Sequence, residues 1–284
     1  MTANIHFLTS YPKSGNTWCR VFLVNYIRKA DEPVPVNEFS GDIPVASSSF
    51  YVGRWTGVES SILTESEVAS LRKEGLLACN RKLEKPSVVK VHDAFPRDAE
   101  PDWFPAGAVA GVIYIVRNPL DVAKSLANHL GVSVDKAVSN LNDADYAFSA
   151  ARYRMNPEFK QTLHSWSEHV LSWLDGYKGP LCLVRYEDLL ADPLGEFGRI
   201  VRAAGLEYDE ERLRTAIRNS DFKVLRKDED ANGFGGRPIT TNCFFREGKA
   251  GTWRKYLSEQ NVRDIVDCHR EVMTRLGYLD EMSC

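Results

Sequence analysis

A chain of 284 residues, 43% of them hydrophobic, can bury one large core and is expected to form a single α/β domain over 1–284. Its net charge of −3 excludes a broadly basic face, so nucleic acid and anionic membranes are not expected partners. An anionic ligand must instead be held by a few local cations. No stretch approaches the roughly 18 apolar residues of a membrane span, and MTANIHFLTS at the start lacks the regions of a signal peptide. The six cysteines show no C-x-x-C pair or metal-ligand rhythm. Three lie in apolar surroundings and are expected to be buried thiols, which suits a reducing, cytoplasmic location.

In chain order, the first apolar run, residues 5–9, reads as a buried strand. It leads through SYPKSGNTW into a helical pattern over 17–30. Residues 31–61, with three prolines and a run of serines, read as irregular. Runs at 88–91, 111–116 and 181–185 are continuous rather than alternating, as expected for buried strands of a parallel sheet covered on both faces. A helix is expected over 119–130, with Asn118 as cap, Pro119 at its first position and Gly131 at its end. Residues 140–157 again read as irregular. Leu163, Trp166, Val170 and Leu174 have the three-four spacing of a packed helix face. A further helix is bracketed by Asp192 and Gly205, and residues 227–245, containing NGFGGRP, read as flexible. Long irregular segments in a compact domain are usually functional or disordered, so these three are candidates for a ligand pocket and lid. Strands alternating with helices predict a doubly wound α/β fold.

Two places could hold an anion. After the first strand, a helix start offers backbone N–H groups, Gly15 permits close approach, and Ser14, Asn16 and Thr17 could add donors. Lys13 would stand at the mouth as a point charge. The spacing is not that of a Walker A loop, in which the lysine follows the second glycine. The second place is Arg117, at the carboxyl end of GVIYIV, with Ser125 on the following helix. Many phosphate-transfer enzymes carry a metal-holding aspartate at such a strand end. An ordinary ion pair of Arg117 with Asp121 or Asp188 is the alternative. Further on, FFREGKAGTW supplies Arg246, Lys249 and two glycines. Two cation clusters without a metal-holding acid imply a ligand with phosphates at two separate ends, such as adenosine 3′,5′-bisphosphate or its sulfated form, rather than ATP.

These stretches together resemble the cytosolic-type sulfotransferases, which use 3′-phosphoadenosine 5′-phosphosulfate (PAPS) and release the bisphosphate (PAP). YPKSGNTW is similar to the family's 5′-phosphosulfate loop, YIVRNPLDVAKS to its 3′-phosphate motif, and VVKVHDAFP to the strand with the catalytic histidine. VRYEDLLADP and REGKAGTW match two further motifs, in the family's order. The resemblance implies the P-loop-like sulfotransferase fold and metal-independent transfer to a hydroxyl, less readily to an amine. It implies His92 as base, Lys13 at the leaving 5′-phosphate and Lys90 at the sulfuryl oxygens. Arg117, Ser125, Arg246 and Gly248 would meet the 3′-phosphate, and Trp18 and Phe222 the adenine, with Ser220 and Tyr186 at its polar edge. Glu247 stands where the family usually has lysine; it is expected to point away, with Lys249 compensating. Residues 253–263 do not match the family's dimer motif, so no dimer is carried over. Two rivals are a P-loop kinase and a bisphosphate-binding module without turnover. Phe50, Tyr51, Trp55, Tyr146, Phe148 and Phe234 hint at a small, partly apolar acceptor.

Overall fold

The computed structural model describes residues 2–60, 63–98, 100–149, 158–237, 241 and 243–280. The elements in chain order are β1 (Ile5–Ser10), α1 (Asn16–Arg28), α2 (Ser49–Thr56), α3 (Glu65–Arg81), β2 (Ser87–Val91), β3 (Val109–Val116), α4 (Pro119–Leu130) and α5 (Val134–Asn142). A short hairpin follows, β4 (Ala147–Phe148) and β5 (Gln161–Thr162), then α6 (Trp166–Leu171), β6 (Leu181–Arg185), α7 (Tyr186–Ala191), α8 (Pro193–Ala203), α9 (Glu210–Asn219), α10 (Phe222–Asn232) and α11 (Glu259–Arg275).

The main sheet has the order β2-β1-β3-β6, with every neighbouring pair parallel. Its apolar runs are continuous, yet alternate side chains serve opposite faces. Phe7 and Tyr114 pack with Trp166 and Trp173 on one side, and Leu8, Ile113 and Ile115 with Phe22 and Phe197 on the other. The chain leaves β1 toward β2 and returns to β3 on its other flank, so β1 is where the order reverses. Ligands gather outside the carboxyl ends of strands at such a point. The residues that follow those ends are the 11–15 loop, His92, Arg117 and Tyr186.

The helix over 119–130 has the expected termini. The Asn118 side chain accepts from Leu120 N, and Gly131 closes it at a φ of 67°. Leu163, Trp166 and Val170 are buried in the core with Leu174 packed at its margin. Three expectations need correction. The run at 181–185 is not covered on both faces: as β6 it is a sheet edge, mostly half-buried. Among the described residues only Cys19 is a buried thiol, because Cys79, Cys182, Cys243 and Cys268 lie on helix flanks, the sheet edge or a surface loop; Cys284 lies outside those residues. The segments read as irregular are partly regular. α2 occupies 49–56, and α10 carries the chain to Asn232. The buried Glu229 carboxylate then accepts from Phe244 N at 2.6 Å and Phe245 N at 2.8 Å, tying down the stretch before Arg246. Residues 150–157 and 238–240 lie outside the described part.

Candidate active site

The cradle at the start of α1 is built by backbone conformation. Lys13 has a φ of 72° and Gly15 one of 105°. A lysine in the left-handed region is strained, and such strain tends to mark functional sites. Gly15 caps α1 with no side-chain hydrogen bond, so the first-turn N–H groups are left for an outside partner. A Cβ at Gly15 would come to 2.7 Å of the Tyr186 ring; only glycine fits. Lys13 Nζ lies 3.4 Å from His129 Nδ1 and 4.4 Å above the Phe244 ring. Burial, reinforced by the charge of Arg117, lowers its pKa to about 8.

The side chains in this loop differ from expectation. The Asn16 amide donates to Leu8 O and Ser10 Oγ, both at 3.3 Å, so toward an anion it offers its backbone. Ser14 is fully buried, its Oγ has no partner, and it is absent from the cavity wall. Gly15, Thr17 and Trp18 do line the cavity, whose volume is about 490 Å³.

Arg117 forms no ion pair with Asp121 or Asp188. Asp121 accepts from Gly251 N, Thr252 Oγ1 and Trp253 N instead, and Asp188 meets Arg185. Arg117 donates to the carbonyls of Lys13 (3.2 Å) and Lys249 (3.0 Å), stacks 4.3 Å over Tyr186, and keeps a buried Nε without a partner. One guanidinium thus joins the first cradle to the C-terminal loop, with no carboxylate in ion-pair contact among the described residues. Ser125 and Arg246 line the same cavity, as does Gly248. Gly248 has a φ of 58°, and a Cβ there would lie 2.5 Å from the Phe222 ring.

Glu247 lines the same cavity, and its carboxylate is engaged by Lys124 Nζ at 2.7 Å and the Tyr256 hydroxyl at 3.0 Å. The Lys124 contact is the main reason its carboxyl is held below the usual range. Lys124, not Lys249, is the cation beside it. Lys249 offers its carbonyl to Arg117.

His92 is tied down through Nδ1, 2.8 Å from Ser10 O. A carbonyl can only accept, so Nδ1 carries the proton and Nε2 keeps its lone pair. Behind it, the Tyr114 hydroxyl donates to His169 Nδ1 (2.7 Å) and His169 Nε2 donates to His92 O (2.9 Å). Asp93 is fixed by a buried pair with Arg72 at 2.7 Å. Desolvation first, then the charge of Lys90, pushes the His92 pKa well below 6.5. Burial lowers Lys90 to about 8.

Trp18 meets Tyr186 and Phe197 edge-on and donates Nε1 to Ser220 O at 3.0 Å. Phe222 also lines the cavity, but the Ser220 hydroxyl is buried and donates to Ala216 O within its own helix. Of the six aromatics expected around an acceptor, only Phe148 and Phe234 line it. Phe50 is exposed, Tyr51 and Trp55 stack along α2, and Tyr146 packs on the core. Sequence reasoning missed Lys124, Asn128 and His129, although Asn128 and His129 lie three and four residues past Ser125, on its face of α4. It also missed Arg20, one turn beyond Asn16, and Glu158.

The uncapped helix start, Arg117 with its unpartnered Nε and the glycine contacts suit a ligand with two anionic ends. A family model for the sulfotransferase domain matches residues 5–277. Sulfotransferase 1B1 of Mus musculus is 25% identical over 275 residues, which cover 94% of this chain and 82% of the mouse protein. Cytosolic sulfotransferase 17 of Arabidopsis thaliana is 22% identical over 298 residues, covering 99% and 77%. Retinol dehydratase, solved with androsterone and inactive cofactor PAP, superposes with a TM-score of 0.62 at 18% identity, covering 96% of this chain and 81% of that one. Mouse SULT7A1 complexed with PAP gives 0.59 at 19%, covering 96% and 86%. Both share the fold. The family match runs from the first sheet strand past the end of α11, and the chain belongs to the sulfotransferase family, the PAPS-dependent enzymes of sulfuryl transfer.

Proposed function

We propose that this single domain transfers the sulfuryl group to a hydroxyl of a small acceptor by the following division of labour. The first-turn N–H groups of α1 and Thr17 would hold the 5′-phosphate, and Lys13 would stabilise charge gathering on its leaving oxygen. Arg117, Ser125 and Arg246 would take the 3′-phosphate; Trp18 and Phe222 would pack on the base. When bound, PAPS supplies the sulfuryl group. His92 Nε2 accepts the hydroxyl proton, while Lys90 adds positive charge at the transferred group. Sulfuryl carries less negative charge than phosphoryl, which makes metal neutralisation dispensable.

The observation that carries this reading is the His92 tautomer. A cavity-lining histidine, neutral and with its proton on Nδ1 so that Nε2 keeps its lone pair, can accept a proton at neutral pH. Titrating PAP into the protein is expected to release heat with one-to-one stoichiometry; no heat overturns the reading.

A further inference from the structure

We infer that Arg20, assisted by Lys90, forms an anion-binding subsite in the acceptor end of the cavity, so that the acceptor carries a carboxylate besides its hydroxyl. The inference rests on the sulfotransferase reading and adds a substrate class to it.

Arg20 is a cavity-lining side chain only 8% exposed. It sits about one helical turn past Asn16, about 6 Å farther from the α1 N-terminus that would hold the 5′-phosphate. Its Nη2 donates to Ile43 O at 3.0 Å, and its guanidinium lies 4.8 Å over the Phe39 ring. Its Nε is buried with no partner, and no carboxylate lies within ion-pair distance among the described residues.

The charges around it do not balance. Arg20 and Lys90 are two buried cations near enough that the charge of Arg20 helps to depress Lys90. Glu158 is the carboxylate facing both, and it already accepts from Ser47 Oγ (3.2 Å) and Gln161 Nε2 (2.9 Å). Asp93 is neutralised by Arg72. Among the described residues one positive charge therefore remains in the buried wall next to His92. Buried charges are ordinarily paired, and a like-charge pair without a counterion is costly. A carboxylate on the acceptor would supply that counterion, and a guanidinium suits one in geometry as well as charge. Phe148 and Phe234 leave the rest of the acceptor an apolar wall.

The test uses 4-hydroxyphenylacetate and its methyl ester, titrated calorimetrically into PAP-saturated protein. The acid is expected to bind at least about tenfold tighter than the ester, about 1.4 kcal/mol or more. Arg20→Gln should abolish that preference and Arg20→Lys should keep part of it, with unfolding midpoints confirming that both variants are folded. Equal or absent binding of the two probes by the unsubstituted protein overturns the proposal, as does a preference that survives in Arg20→Gln. A first titration with PAP alone separates the causes: without heat there the donor reading itself fails, whereas PAP heat without acid preference removes only the anion subsite.

Discussion

His92 illustrates how one side chain acquires a role from its hydrogen bonds. The Ser10 carbonyl fixes its tautomer, and burial beside Lys90 keeps it neutral at physiological pH. His92→Ala is expected to lower kcat about 10²–10⁴-fold, the usual cost of deleting a general base, with little change in PAP affinity measured by calorimetry. An unchanged kcat would remove His92 from the chemistry. The sequence singled out this residue through KVH at a strand end. It could not show the Tyr114–His169 relay that pins its carbonyl, because those partners come from two distant elements.

At the scale of elements, the C-terminal loop is held against α4 through Glu247 and Lys124. The like-charge problem that Glu247 poses for a 3′-phosphate is met by a cation on a neighbouring helix rather than by Lys249 on the same loop. Two substitutions should therefore act in opposite directions. Glu247→Gln is expected to release the charge of Lys124 and tighten PAP binding several-fold. Lys124→Met leaves an uncompensated carboxylate near the phosphate and should weaken binding about tenfold or more. Calorimetry at two salt concentrations checks both, since the gain in Glu247→Gln should shrink as salt rises. No change in either variant would show that the pair lies outside the phosphate's reach.

Across the whole molecule, five histidines share one electrostatic fate. Burial is the leading cause that lowers the pKa of His6, His92, His129, His169 and His269; His129 falls to about 3, and His169 and His269 to about 4. In the unfolded chain each takes a proton near 6.5, whereas in the fold each takes it only at a lower pH. Below that pH the unfolded state binds more protons, so stability falls as pH falls. The unfolding midpoint is expected to drop by about 5 °C or more between pH 7 and pH 5, followed by calorimetry or circular dichroism. A flat profile would mean that the five rings are not desolvated together.

The sequence by itself determined the sheet, the cradle after β1, Arg117 at the end of β3 and the glycines at 15 and 248. Apolar runs, caps and glycines act over a few residues, and their chemistry can be read locally. Only the tertiary structure decided which side chains share a cavity. It turned Ser14, Ser220 and the amide of Asn16 away, left β6 at an edge, and put Lys124 against Glu247. It also gathered Arg20, Lys90 and Glu158 from separate parts of the chain. Contacts between residues far apart in sequence depend on how helices and strands pack, and a buried charge declares itself only when its surroundings are known.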